Sequence, residues 1–429
     1  MKKRFQILIL LNLFFSQITF GVNEFALFDL YKELHANPEL SYQETETSAR
    51  LAVILKEMGY EVTEGFGGTG VVAILKNGKG KTIMLRADMD GLPVKERTGV
   101  SYASKKKVIN LEGQEVFTMH ACGHDIHMTV LIGAARALIE SRNKWQGTLI
   151  LILQPAEEVS GGARAMLREG LYSKYPRPDY NLALHVSADL EAGKVGYLSG
   201  YAMANVDSVD ILVKGIGGHG AYPHKTKDPI MLATQLVMAL QTIVSREISP
   251  LEPAVVTVGS IHGGTKHNVI PNEVKLQLTI RSYSDSVRNK TLAGIKRIAE
   301  NLARSAGLPN TLYPVITIKD EYTPAVFNDP KLTRKLKQSF EKALGKDSVI
   351  QVSQVMAGED FGMYGRIKPI IPTSLFWLGS VNKTKYNLSN KRGNPLPSLH
   401  SDVFMPDPIP TINTGIKALT QAAHDLFNK

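Results

Sequence analysis

Apolar positions along the 429-residue chain fall into short saturated runs separated by longer periodic stretches. Thr82-Ile83-Met84-Leu85-Arg86 reads as a short buried strand, and Asn181-Leu182-Ala183-Leu184 as another. Gly147 to Leu153 is a continuous apolar run, the pattern of a strand covered on both faces in a parallel sheet. Between these runs the period lengthens. Residues 32–58 show helical spacing, with Leu34, Leu51, Ile54 and Leu55 on apolar faces and Pro38 breaking the pattern near its start. Met128 to Ser141 predicts a helix, and Ala163 to Glu169 a shorter one closed by Gly170. Strand alternating with helix predicts an α/β fold.

The texture changes at about residue 202. Val206–Val213 reads as a strand, Asp228–Glu247 as a long helix, and Ala254–Ile261 and Val274–Ile280 as two further strands. Ser286–Ala306 follows as a helix and Thr311–Ile318 as a last strand. The order βαββαβ predicts a ferredoxin-like unit, an antiparallel sheet with two helices on one face. It predicts an insertion over 202–319 in a discontinuous larger domain of residues 22–201 and 320–429, which resumes with a helix from Pro330 to Leu344. The stretches 108–117 and 382–397 carry no such pattern and read as surface loops, the second rich in lysine, asparagine and proline.

Composition narrows the class. With 43% hydrophobic and 21% charged residues the chain is ordinary for a globular protein. Lys2, Lys3 and Arg4 precede an apolar run from Ile7 to Phe15 and a small-x-small pattern at Thr19-Phe20-Gly21. That is the pattern of a secretory signal peptide over residues 1–21, too short for a membrane span, and it predicts an exported, periplasmic or secreted protein. Three leader cations account for part of the net charge of +10 and leave +7 beyond them. The rest are dispersed, apart from Lys105-Lys106-Lys107 and a cluster at Lys383, Lys385, Lys391 and Arg392. No zinc-finger spacing or aromatic-basic platform accompanies them, so nucleic acid is not an expected partner.

The candidate chemistry lies just past the predicted strands. Cys122 is the only cysteine, so it has no intrachain disulfide partner. Alone, it would read as a small buried hydrophobe. His124 two residues later makes a soft N/S pair suited to a transition metal. Glu157-Glu158 would ordinarily be a solvated charge pair, and His185 or His400 a lone histidine. Position favours the other reading. Arg86 runs into Asp88-Met89-Asp90, Leu153 into Gln154-Pro155-Ala156-Glu157-Glu158, and Leu184 into His185. Those are carboxyl ends of strands, where open α/β sheets form their crevices. Two rival classes stand beside a metal site. A cysteine nucleophile would leave Glu157, Glu158, His185 and His400 without roles, and a non-catalytic binding protein would not need so complete a set.

Six motifs stand in order: Arg86-Ala87-Asp88-Met89-Asp90-Gly91-Leu92-Pro93, Met119-His120-Ala121-Cys122-Gly123-His124-Asp125, Gln154-Pro155-Ala156-Glu157-Glu158, Gly217-Gly218-His219-Gly220, Asn268-Val269-Ile270-Pro271 and Gly358-Glu359-Asp360-Phe361. Together they resemble the M20 peptidase family, in its amidohydrolase branch of aminoacylase-like, hippurate and auxin-conjugate hydrolases, over nearly the whole chain. The resemblance implies a two-domain α/β fold: a mixed-sheet, zinc-peptidase-type catalytic domain with an inserted ferredoxin-like α+β lid and dimerisation domain. It implies two divalent ions (Zn, Mn, Co or Ni) held by Cys122, His124, Glu158, His185 and His400, with Cys122 as the bridge. Glu157 matches the general base and Asp90 a carboxylate that orients a ligand. His219 and Asn268 match lid residues that reach the substrate, His219 from across a homodimer interface. The implied substrate is a small N-acyl amino acid or a dipeptide, and the family also includes dipeptidases and carboxypeptidases. Arg281, at the end of a lid strand, is a candidate for the substrate carboxylate; its ordinary reading is a surface salt bridge. Gly91 stands where alanine is common, and Gly220-Ala221-Tyr222 alters the lid-histidine loop, so the pocket differs in shape there.

Overall fold

The computed structural model describes residues 24–320 and 322–428, so the leader expected at 1–21 lies outside the described residues. An eight-stranded sheet runs in the order 61–66, 70–77, 147–154, 81–88, 180–191, 373–381, 195–197 and 349–351. Gly147–Gln154 is parallel to Lys81–Asp88 on one side and antiparallel to Gly70–Asn77 on the other. The sheet is therefore mixed, and the apolar run reflects burial on both faces. Leu149, Leu151 and Leu153 enter one core, while Ile150 and Ile152 enter another. The first core is completed by helices His124–Glu140 and Pro408–Phe427, which bring in Leu131, Ile416 and Leu419. The second takes Met166, Phe361 and Tyr364 from the opposite face.

Several elements differ from the expectations. The periodic stretch 32–58 is two helices, Glu24–Ala36 and Thr45–Glu57, and the break between them is eight residues wide rather than a kink at Pro38. The helix expected from Met128 begins at His124, because Gly123 takes a left-handed conformation (φ 79°) and starts it early. A Cβ on Gly123 would lie 2.6 Å from Cγ2 of Val186, so glycine is required there on two counts. The strand expected at 181–184 continues to Glu191. The expected surface loops are ordered: 107–109 pairs with 115–117 as a hairpin, and Lys383–Arg392 is a helix. Asn382 caps that helix by accepting from the amides of Thr384 and Lys385, and left-handed Gly393 ends it. It buries no residue, so no hydrophobic period could have revealed it.

The second sheet runs 254–263, 273–282, 205–214, 315–318, all antiparallel, with helices Pro229–Thr242 and Asp285–Ser305 on one face. Strand Asn205–Lys214 alternates buried and half-buried positions without a break, the pattern of a sheet covered on one face. Val209, Ile211 and Val213 meet Leu236, Leu240 and Ile295 in a core of their own. Asp228 and Ser284 cap the two helices, and Pro229 opens the first. The last strand starts at Val315 rather than Thr311, because Asn310–Leu312 forms a 3₁₀ turn after Pro309. Gly200–Met203 pairs with Val326–Asn328, so the two chain segments that join the sheets lie side by side.

Candidate metal centre

The strand ends deliver the site. Asp88 closes its strand, Glu157 and Glu158 follow the end of theirs, and His185 lies within Tyr180–Glu191. Left-handed Gly123 separates Cys122 from His124 and turns both side chains into one space. The late loop returns over them, where the His400 amide donates to the carbonyl of Ala121 at 2.9 Å. Cys122 Sγ then lies 3.5 Å from His185 Nε2 and 3.3 Å from His400 Nε2. Glu158 is 3.5 Å from His400 Nε2 and 3.9 Å from His124 Nε2.

The tautomers are set by the backbone. His124 Nδ1 donates to the carbonyl of Asp90 at 2.8 Å, and His185 Nδ1 to the carbonyl of Val186 at 2.8 Å. A carbonyl can only accept, so His185 Nε2 is left as the lone-pair nitrogen of its ring, and His124 Nε2 is the nitrogen freed once that ring gives up its second proton. His124 Nε2 and Glu158 Oε1 are buried with no hydrogen-bond partner. Unpaired buried acceptors converging on one thiol are what a cation site needs and what a packed polar core avoids. Two triads form, Cys122–His124–His185 and Cys122–Glu158–His400, each with its ligand atoms within 4.8 Å of one another, and Cys122 belongs to both. The donor set fits two divalent ions that share one sulfur.

Charge points the same way. Burial pushes the Cys122 thiol well up, and the carboxylates of Glu158, Glu157 and Asp88 push it further. Burial raises Glu158 to about 7 against the pull of His124, with Asp90 and Asp88 adding to the rise. His124 is raised to about 10, because Asp88 and Asp90 outweigh the effect of burial. Acids crowd this space, and without added positive charge the thiol keeps its proton. A nucleophilic cysteine requires the opposite shift, so the structure argues against that rival. Bound cations reverse the logic and make the thiolate a ligand.

Around the ligands lies a second layer, mostly unassigned from sequence. Asp90 was expected there and is fully enclosed. Its two oxygens accept from the amides of Glu157 (3.1 Å) and Glu158 (3.0 Å). Asp88 accepts from Arg86 at 2.6 Å and from His127 Nδ1 at 2.6 Å, while the Val186 amide donates to His127 Nε2 at 2.9 Å. Burial alone would raise Asp88, but Arg86 and the two histidines hold it well below the usual range. Arg86 also reaches Glu359 at 2.9 Å, Asp360 at 3.3 Å and Gln154 at 2.9 Å. Arg86 carried its own signal: an arginine in an otherwise apolar buried strand must have counter-charges. For His127, hidden in the periodicity of its helix, there was none.

Cys122, Glu157, Glu158, His185 and His400 line a cleft of about 520 Å³ together with Val206, Ser208 and Arg281 from the second sheet and Trp377 from the first. Arg281 thus lines the cleft, and among the described residues no acid pairs with it: one guanidinium nitrogen donates to the Met356 carbonyl at 2.8 Å, and burial lowers its pKa. His219 and Asn268 are brought to each other, on Gly218–His219 and just before its partner Val269–Ile270, but both are exposed and neither lines the cleft.

A mixed-sheet α/β protein with a thiol shared by two cation pockets beside a buried glutamate is, by class, a binuclear metallohydrolase. The chain belongs to peptidase family M20/M25/M40, whose sequence profile matches residues 84–395. Thermostable carboxypeptidase 2 of Saccharolobus solfataricus is 36% identical over 363 residues, covering 84% of this chain and 87% of that protein. N-acetyl-L-cysteine deacetylase of Bacillus subtilis is 38% identical over 351 residues, 81% of this chain and 80% of that one. Among solved structures, the Bacillus subtilis YXEP protein, described as a dinuclear metal binding peptidase of family M20, superposes with a TM-score of 0.77 at 28% identity, over 95% of this chain and 98% of the other.

The shared thiol makes a specific demand. Elemental analysis should find two divalent ions per chain, and a hundredfold excess of metal over Kd should stabilise the fold by about 2.7 kcal/mol per site. Cys122→Ser should weaken both ions, whereas His400→Ala should weaken one. Loss of a single ion in Cys122→Ser would show that the sulfur does not bridge, and an active preparation without stoichiometric metal would remove the assignment.

Proposed function

We propose that this protein hydrolyses the amide bond of N-acylated amino acids, releasing a carboxylic acid and a free amino acid. The observation that carries this reading is the pairing across one cleft of the Cys122-centred ligand set and unpaired Arg281. Divalent ions in the two pockets supply Lewis acidity toward an amide carbonyl and acidify water. The remaining steps fall to side chains. Arg281 takes the substrate carboxylate and sets the amide over the ligand cluster. Glu157 takes a proton from the attacking water as the new C–O bond forms. It delivers that proton to the nitrogen as the C–N bond breaks, so the amine leaves neutral. Burial, with the charges of Glu359, Glu158 and Asp360, raises Glu157 well above the ordinary carboxyl range.

A carboxypeptidase reading differs only on the acyl side, since a peptide is an N-acyl amino acid with a longer acyl group. The likeness to the Saccharolobus carboxypeptidase favours keeping it in view. Turnover of N-acetyl, N-benzoyl and long-chain N-acyl amino acids and of dipeptides, with each of Zn, Mn, Co and Ni loaded in turn, separates the two. Hydrolysis of none of them would overturn the reading.

The two adjacent glutamates are distinguishable. Glu157→Gln should keep both ions and the fold while turnover falls by about 10²–10⁴, the range for lost general acid–base catalysis. Glu158→Gln should lose metal affinity and recover in part with excess metal. Rescue at position 157 alone would exchange their roles.

We infer further that His219 serves the cleft of a second subunit, because within its own chain it stands exposed and away from the ligands. Helix Pro229–Thr242 presents Met231 and Met238 to solvent, and edge strand Ala254–Gly263 exposes Ile261, which suits pairing through the inserted domain. Sedimentation should show a dimer, and His219→Ala should lower turnover without loss of metal. A fully active monomer would discard the inference.

Export is inferred from residues 1–21. No helix among the described residues is long and apolar enough to cross a membrane. N-terminal sequencing of protein from an exporting host should begin at Val22, and an intact Met1 on the exported form counts against a cleaved leader.

A further inference from the structure

Four non-glycine residues among those described have positive φ: Tyr42 (63°), Ala156 (51°), Ser160 (54°) and His400 (65°). Ser160 and His400 line the cleft, Ala156 directly precedes Glu157, and Tyr42 packs against the far end of the same turn. L-residues resist this conformation because Cβ crowds the backbone, so each must be held there by its surroundings. Ala156 matters most, since it directly precedes the catalytic doublet. Its carbonyl accepts from the amides of Gly161 and Gly162, both at 3.1 Å, and so closes the turn 156–162. On the other side, three successive amides point out of the turn. Those of Glu157 and Glu158 go to the two oxygens of Asp90. The Ala156 amide goes to Glu44 Oε1 at 2.8 Å.

Glu44 comes from the segment between the first two helices and is completely buried. Its second oxygen accepts from the Thr69 hydroxyl. Neighbouring Ser41 donates to Asp90 at 2.6 Å, and the Gly91 amide donates to the Glu39 carbonyl at 2.7 Å. Tyr42 lies over the far end of the turn, where a Cβ on Gly161 would come within 2.0 Å of its hydroxyl. Residues 39–44 thus brace the catalytic turn from behind at several points. None of them lines the cleft.

We propose that Glu44 is a positioning residue for the reaction: together with Asp90 it forms a two-carboxylate clamp on the amides of residues 156–158, and by holding Ala156 left-handed it aims the Glu157 carboxylate into the cleft. The proposal rests on the reading of Glu157 as the base. Burial, then the charge of Asp90, raises Glu44 to about 7. The oxygen that accepts from Ala156 does so whether or not the carboxyl is protonated, so the clamp depends on an acceptor rather than on a charge. An amide supplies the same acceptor.

The test uses the full metal-loaded chain and the variants Glu44→Gln, Glu44→Ala, Glu157→Gln and the double variant Glu44→Ala/Glu157→Gln. Glu44→Gln should keep kcat within about threefold. Glu44→Ala should lower kcat by about 10–100-fold while KM moves less than threefold and two ions per chain remain bound. Hydrogen exchange at the Ala156 amide should quicken at least tenfold in Glu44→Ala and not in Glu44→Gln. In the Glu157→Gln background, removing Glu44 should cost no more than about twofold further, because its effect passes through Glu157. Loss of more than tenfold in a folded, metal-replete Glu44→Gln overturns the proposal, and so does full additivity in the double variant. If Glu44→Ala does not fold, the Glu44→Gln result decides alone. Full activity of Glu157→Gln would instead sink the reading of the base, an outcome separate from either.

Discussion

Buried negative charge is the constraint around which this protein is built. Asp88, Asp90 and Glu157 are buried at or just past the carboxyl ends of their strands, Glu359 and Asp360 are buried in the loop before helix Gly362–Arg366, and Glu158 and the Cys122 thiol lie beside them. Removing carboxylates from water is costly unless cations or amides meet them. Arg86 meets three of them from the inner side, and backbone amides meet Asp90 and Asp360. Taking Arg86 away would strip those acids of their shared cation and leave only hydrogen bonds from His127, Gln154 and backbone amides against them, a change of the kind that costs about 3–5 kcal/mol. On the outer side no arginine among the described residues bonds the cluster, since Arg281 lines the same cleft but is tied to Met356. There His124, Cys122 and Glu158 face one another with buried polar atoms unpartnered, a setting suited to cations from outside the chain. Structure and chemistry therefore share a single requirement. Whatever balances the outer acids also activates the substrate.

This arrangement explains why the doublet Glu157–Glu158 can divide its work. Successive residues in a regular strand point to opposite faces and would send one carboxylate into the core. The left-handed Ala156 and the carboxylate contacts on the turn break that alternation. Glu158 can then face His400 and His124, while Glu157 lies against Glu359 and Asp360 within 4.8 Å. The same environment separates their proton affinities in degree. Glu158 is drawn down by His124, whereas Glu157 has only acids among its leading electrostatic neighbours.

Much of this was legible in the sequence because the ligands sit where apolar runs stop. The runs ending at Arg86 and Leu153 placed Asp90 and Glu158 just past strand ends, whereas His185, expected at such an end, lies inside a strand that continues to Glu191. The second antiparallel sheet was legible because its strands alternate and its helices carry caps. What stayed hidden depends on contacts between segments distant in sequence. Glu44 lies in a polar stretch that reads as part of a helix, and only the fold brings it to Ala156. His127 looks like one more position on a helix until Asp88 and Val186 close around its ring. Helix 383–392 could not be read because it buries nothing, and pattern reports burial rather than helicity.

The division of the cleft between the two sheets bears on how such a protein comes to act on one amide rather than another. Every proposed ligand and the proposed base come from the larger sheet and its loops, where Gly123, the His400 return and the buried acids fix them to one another. Val206, Ser208 and Arg281 come from the smaller sheet, which has its own core and touches none of the metal ligands through the hydrogen bonds described above. A change at Val206 or Ser208 therefore alters the shape offered to the substrate without disturbing the ions. A change at Cys122 or Gly123 cannot be so confined. Arg281 sits between these cases. It belongs to the smaller sheet, yet its guanidinium is tied to Met356 of the returning catalytic segment, so its aim depends on how the two units meet. The paired segments 200–203 and 326–328 set that meeting, and a shift there would move the carboxylate-binding group relative to the base while leaving both side chains intact. On the proposed reading the metal ligands and the base belong to the larger unit, and the groups offered to the substrate belong to the smaller unit and the junction.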